Sequence, residues 1–299
     1  MITRLTLSIV ALMASSAFTQ DQPGAKNFLA CQEAVETNDF DTVIQTCEKA
    51  LSANADLFAS NYYLGYAYKT QKNHDKCASN FDTFLKKVGN NPEAGVMIAA
   101  ANREGGLCYA RGSATGKAVP LLRKAASAKP NDKEVQFYLG VSLMRGNNEA
   151  QAEQAFAKVI QLDPNLAQAY YYAGRINFNR QEWANANERL SKYLELKPDG
   201  TFSADCHFMV GSITIRMATG ASDTTSRQDQ AIAHLKQFLT AKPNAPQSSQ
   251  AHYILGSLAA QREDNETAKS HFQKYLALEP NGAQADEVKQ FLADLSAEG

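Results

Sequence analysis

The feature that most limits what this chain can fold into is a small residue that returns at a fixed interval. Gly106, Gly140 and Gly174 step by 34 residues, and so do Pro130, Pro164 and Pro198. Ala118, Ala152 and Ala186 each stand 12 residues after their glycine, and Leu122, Phe156 and Leu190 stand 16 after it. Self-similarity at a period of roughly 20 to 50 residues marks repeat architectures, in which each unit is one supersecondary element that cannot bury its apolar face alone. A glycine and an alanine at this spacing let two antiparallel helices cross closely, and the bulky residue fills the space beside the crossing. The proline ends the second helix, because it lacks an N–H donor and clashes with the preceding turn.

The pattern continues in both directions. Gly256, Ala268, Phe272, Tyr275 and Pro280 repeat it near the end, and Gly65, Tyr68 and Phe81 near the start. A weaker first copy has Cys31 in place of the glycine, followed by Val43, Cys47 and Ala50. Another copy, with Gly211, Ala231, Leu235, Phe238 and Pro243, carries eight extra residues between its halves. The expected organisation is seven helical hairpins over residues 24–57, 58–91, 99–132, 133–166, 167–200, 204–248 and 249–282. Residues 219–229 have no apolar periodicity and predict a polar loop inside the sixth. Residues 283–297 place Val288, Phe291, Leu292 and Leu295 on one helical face, which predicts an amphipathic capping helix.

The set Tyr170, Ala173, Gly174, Ala186 and Pro198 resembles the signature of tetratricopeptide repeats, and the resemblance extends over residues 24–282. It implies an all-α fold: a tandem helix-turn-helix solenoid wound into a right-handed superhelix. It also implies a protein that binds other proteins. In that family the first helix of each hairpin lines the concave side, and the residue three before the glycine points into it. Here that position holds Phe28, Tyr62, Arg103, Phe137, Tyr171, Phe208 and Tyr253. Five after the glycine stand Arg111, Arg145 and Arg216 in their respective repeats, and Arg175 joins them one residue after its own. The resemblance therefore implies a groove of Tyr62, Arg103, Phe137, Arg145, Tyr171, Arg175, Phe208, Arg216 and Tyr253. Rings supply rigid contact area and guanidinium groups pair carboxylates, which suits an extended peptide or a partner helix. Scaffold habit would equally produce an aromatic stripe at that position. The clamp by which some members hold a terminal carboxylate is absent, since Tyr62, Tyr63 and Tyr66 stand at the corresponding places.

The amino terminus predicts export. Arg4 gives a cationic start, residues 5–14 form an apolar run broken by Thr6 and Ser8, and Ala14, Ser15, Ser16 and Ala17 follow. That order matches a signal peptide over residues 1–19, with cleavage after Ala17 or Thr19. The run is shorter than the roughly 20 residues a bilayer span needs, so no integral membrane segment is expected. A periplasmic or extracellular setting is oxidising. On the repeat register Cys31 and Cys47 lie on the two helices of one hairpin, and Cys77 and Cys108 on neighbouring antiparallel helices. Two disulfides, Cys31 to Cys47 and Cys77 to Cys108, are expected with Cys206 left free. Five buried thiols are the alternative.

Other functions find little support. The chain has 30 Lys and Arg against 31 Asp and Glu, which opposes nucleic acid as a partner, because phosphate neutralisation needs a basic excess. His74, His207, His234, His252 and His271 read as scattered among repeats, with no HExxH spacing, so neither a metal site nor a cofactor is expected. Residues 112–117 mimic a phosphate loop but have three residues between the glycines and no preceding strand. No catalytic residue is expected. The sequence thus predicts a non-enzymatic interaction scaffold of the cell envelope, or alternatively an accessory subunit that positions a secreted or periplasmic enzyme or its substrate.

Overall fold

A computed structural model of the chain describes residues 21–218 and 224–297. The expected signal peptide lies outside the described residues. Among them there are 15 α-helices and no strand. The chain divides into two compact units, one reaching to Pro164 and the other beginning at Asn165. The first unit holds α1 (Ala25–Thr37), α2 (Phe40–Ala53), α3 (Ala59–Thr70), α4 (His74–Val88), α5 (Gly95–Arg111), α6 (Ala118–Ala128), α7 (Lys133–Arg145) and α8 (Glu149–Leu162). The second holds α9 (Ala167–Asn179), α10 (Trp183–Leu196), α11 (Ser203–Ala218), α12 (Thr224–Ala241), α13 (Ser248–Gln261), α14 (Asn265–Leu278) and α15 (Ala285–Ala297).

Consecutive helices pair as hairpins, and local chemistry sets the turns. Asn38, Lys72, Asn147, Gln181 and Glu263 each sit at φ between 57° and 61° in the turn that joins two helices of one hairpin. The left-handed residue lets the next amide reach back, as Asn73 N–H does to the Tyr68 carbonyl at 2.9 Å and Glu182 N–H to that of Asn177 at 2.9 Å. Three of the second helices then begin on side-chain caps. Asp39 accepts from the Thr42 amide, Asn73 from Lys76 and Asp264 from Thr267, each at 3.1 Å.

The repeated glycines are places of steric exclusion. A Cβ built on Gly65 would lie 2.7 Å from the Phe81 ring, on Gly140 2.9 Å from Phe156, on Gly174 2.8 Å from Leu190 and on Gly256 2.7 Å from Phe272. The close neighbour is thus the bulky residue 16 positions on, while the alanine 12 positions on lies fully buried in the same crossing, as Ala152 and Ala186 do. Tyrosines of second helices also fasten the chain that follows them. The Tyr193 hydroxyl accepts from the Phe202 amide at 3.0 Å, and the Tyr275 hydroxyl from that of Gln284 at 3.1 Å. Within the second unit α15 packs on α14 through Ala285 and Val288.

Disulfides join Cys31 to Cys47 and Cys77 to Cys108, while Cys206 is a buried free thiol. The first links α1 to α2 within one hairpin. The second links α4 to α5 and so ties one hairpin to the next.

The polar loop expected over residues 219–229 is partly corrected. Residues 219–223 lie outside the described residues, but Thr224 begins α12 and residues 224–229 are helical. This opening stretch looks featureless in sequence because none of its side chains is buried. Polar contacts hold it instead: Asp229 pairs with Arg262 at 2.7 Å, and the Arg262 guanidinium also donates to Gln228 at 3.1 Å.

Candidate functional site

In the first unit the first helices lie side by side, α3 beside α5 and α5 beside α7. Their shared face carries a chain of ion pairs. Lys69 meets Glu104 at 2.6 Å, and Glu104 meets Arg103 at 2.7 Å. Arg103 also pairs with Asp132 and Glu134, each at 2.7 Å, and Arg111 takes the other Glu134 oxygen at 2.6 Å while covering the Tyr138 ring at 4.5 Å. Three cations meet three carboxylates, so the network is neutral. Burial works to raise the carboxyl pKa values of Asp132 and Glu134, but hydrogen bonds from Arg103 and Arg111 outweigh it and hold both below the usual carboxylate range.

This arrangement corrects the sequence-based groove in two ways. Arg103 is consumed by the protein's own carboxylates and offers no free guanidinium to a partner. The rings of Tyr62, Tyr171 and Phe208 are only 1%, 4% and 8% exposed and belong to the core. Each turns toward packed rings beside it: Tyr62 to Phe81 and Phe84, Tyr171 flat against Phe202 at 4.0 Å, and Phe208 to Phe238. Phe137 is half-buried against Tyr138 and Phe156. Arg145 is exposed and donates to the Ala110 carbonyl at 3.1 Å, and Arg175 lies 5.8 Å from the Tyr171 ring centre.

Two of the expected residues, Arg216 and Tyr253, do meet in one surface feature. A cleft of about 490 Å³ in the second unit is bounded by Ser212, Ile215 and Arg216 of α11, by Ser249, Gln250, Tyr253 and Ile254 of α13, and by Tyr275, Glu279 and Gln284. Its floor is aromatic, with Tyr253 and Tyr275 5.7 Å apart between ring centres. Ser249 donates to Glu279 at 2.8 Å, and the Tyr253 hydroxyl donates to Glu287 at 3.2 Å, so each of these carboxylates accepts a hydrogen bond from a hydroxyl. Arg216 is exposed, lies over the Trp183 ring at 5.1 Å and makes no ion pair among the described residues. The cleft therefore offers two tyrosine rings, hydroxyl and amide hydrogen-bonding groups, the Glu279 carboxylate, and one guanidinium that lies over a ring and outside any ion pair among the described residues.

Four of the five histidines are not scattered. His207 and His234 bring their Nδ1 atoms to 2.7 Å across α11 and α12, and His252 and His271 bring theirs to 2.8 Å across α13 and α14. Each pair occupies the same register, one ring four residues before the crossing glycine and the other one before the bulky residue. That repeated offset was readable in the sequence. Burial first, and the partner ring second, pushes His207 and His271 each down to about 4. Among the described residues no group of three or more His, Cys, Asp or Glu side chains converges, and no helix is long and apolar enough to cross a membrane.

A family model described as tetratricopeptide repeat matches residues 109–167, 139–201 and 225–283, together a little over half of the chain. Among solved structures, YrrB, described as a TPR protein with an unusual peptide-binding site, is 19% identical, with a TM-score of 0.52 over 66% of this chain and 96% of that one. MamA AMB-1 is 21% identical, with a TM-score of 0.51 over 63% of this chain and 95% of that one. A MamA segment from Desulfovibrio magneticus RS-1 is 22% identical over 62% of this chain and 97% of that one, with a TM-score of 0.48. No curated protein sequence matches the chain.

Proposed function

Because the chain belongs to the tetratricopeptide repeat family, we propose that it is a non-enzymatic interaction scaffold that holds an acidic, extended segment of a partner protein in the cleft between α11 and α13. The observation that carries this reading is the contrast between two first-helix faces. In the first unit Arg103 and Arg111 are neutralised by Asp132 and Glu134 and Arg145 donates to the Ala110 carbonyl, whereas Arg216 in the second lines a cleft and forms no ion pair among the described residues. An unpaired guanidinium beside an aromatic floor of Tyr253 and Tyr275 is an arrangement suited to a carboxylate flanked by an apolar side chain. The setting in this proposal is the cell envelope, supported by the cationic start and apolar run of residues 1–17 and by cysteines that suit an oxidising compartment.

Immobilised protein and its Arg216→Ala variant, exposed in parallel to an envelope extract and to a library of acidic peptides, provide the test. The expected result is a partner retained by the native chain and released by the variant at equal folded content. Equal retention by both would move the binding surface elsewhere.

A further inference from the structure

A second pocket, on the second-helix side of the same unit, is lined by cationic and neutral side chains alone. It has a volume of about 580 Å³ and lies between α12 and α14. Lys236, Lys274, His252, His271, Thr240 and Asn244 line it together with apolar side chains that end at Leu278, and none of the lining residues is acidic. Neither lysine forms an ion pair among the described residues. The carboxylate of Asp264 feels Lys236 and is committed to capping α14 through the Thr267 amide at 3.1 Å.

We propose that this pocket binds a small oxyanion, a sulfate, phosphate or carboxylate group carried on a compact apolar body. Two ammonium groups flanking one cavity without a counter-ion repel each other, and an anion between them removes that repulsion. The apolar wall that reaches Leu278, itself 39% exposed, gives the remainder of such a ligand something to lie against.

The paired histidines give the site a proton dependence. With Nδ1 atoms 2.8 Å apart, one ring donates and the other accepts, so the neutral pair leaves one Nε2 free to take up a proton. Burial, the partner ring, Lys274 and Lys236 all oppose that protonation in the empty pocket, with Lys274 acting on both rings. A bound anion reverses the local field and favours it, so binding and proton uptake are linked. The sister pair, His207 and His234, serves as an internal contrast. The pocket beside it shares Lys236 but also contains Asp199, and its Lys242 is already paired with Asp205 at 2.7 Å.

Titration calorimetry with sulfate, whose charge is constant across this range, tests the proposal at fixed ionic strength. Binding should be saturable and about tenfold tighter at pH 5 than at pH 7.5. Lys236→Ala and Lys274→Ala, both exposed and tolerant positions, should each weaken it about tenfold. His271→Gln should flatten the pH dependence, while His207→Gln and Arg216→Ala leave binding unchanged. Native-like binding by both lysine variants, or no saturable binding at pH 5, overturns the proposal. So does binding to phosphatidylglycerol vesicles over phosphatidylcholine ones without any response to free sulfate, which would assign the lysines to a membrane surface.

Discussion

The guanidinium carbon of Arg216 lies 5.1 Å from the centre of the Trp183 ring, and Trp183 is the only tryptophan in the chain. The cation is thereby held at the edge of the cleft, outside any ion pair among the described residues. Arg216→Ala is expected to weaken an acidic peptide by roughly 1 to 2 kcal/mol, about tenfold, with the melting temperature unchanged. The same contact supplies the readout, since a bound carboxylate that draws on Arg216 perturbs the fluorescence of Trp183. Binding that leaves the emission and the Arg216→Ala affinity unchanged would place the ligand elsewhere.

Gly140 has the Phe156 ring 2.9 Å from where its Cβ would stand. Leucine there has to displace a fully buried aromatic side chain that belongs to the opposite helix. Gly140→Leu is expected to cost about 1 to 3 kcal/mol or more, read as a lower urea midpoint. A midpoint within error of the native one would show that the crossing is looser than its geometry implies.

How much of this was legible in the sequence follows the range over which each constraint acts. The glycine register was readable because a close crossing excludes every other side chain, and that exclusion recurs with each hairpin. The surface was less readable. Tyr62, Tyr171 and Phe208 stand at positions between two faces of a first helix, and only tertiary packing decides which face a ring takes. The Arg103 network joins residues 29 and 31 positions apart, and no local pattern announces such a partner. The start of α12 lacked periodicity because it is held by Arg262 rather than by burial, and polar fastening leaves no apolar signature.

Acidification tests the histidine pairs. His207 and His271 are each held near 4, below the usual histidine value, by burial and then by their partner rings. A depressed folded pKa means that the stability associated with the neutral form is fully present above about pH 6.5 and is lost as pH falls toward 4. Both rings are partly solvent-screened, so the expected loss is only about 1 to 2 kcal/mol for each pair. Replacing His207 and His271 with Gln should reduce this slope in urea unfolding between pH 7 and pH 4. An identical slope in the double variant would assign acid sensitivity to the carboxylates alone.

The Cys77 to Cys108 bridge closes 31 positions of sequence. Loop-closure entropy puts its contribution at about 3 to 4 kcal/mol, so Cys77→Ala with Cys108→Ala should lower the unfolding free energy by that order. Urea unfolding of the variant beside the native chain measures it. No change would mean that the unfolded chain is already compact around this segment.

A stack of hairpins that touch only their neighbours normally peels from either end with equal ease. Here the bridge between α4 and α5 fastens the second hairpin to the third, and the bridge between α1 and α2 closes the first on itself, while the second unit has one buried thiol and no covalent tie. A tug on the carboxyl end would strip α15 and then its neighbouring hairpin at low force. The same tug on the amino end would lift the first hairpin off as a closed loop and then meet the second and third hairpins held together by the Cys77 to Cys108 bridge. The two ends are therefore expected to come apart in different units: helix by helix from the carboxyl end, and by covalently closed loops from the amino end.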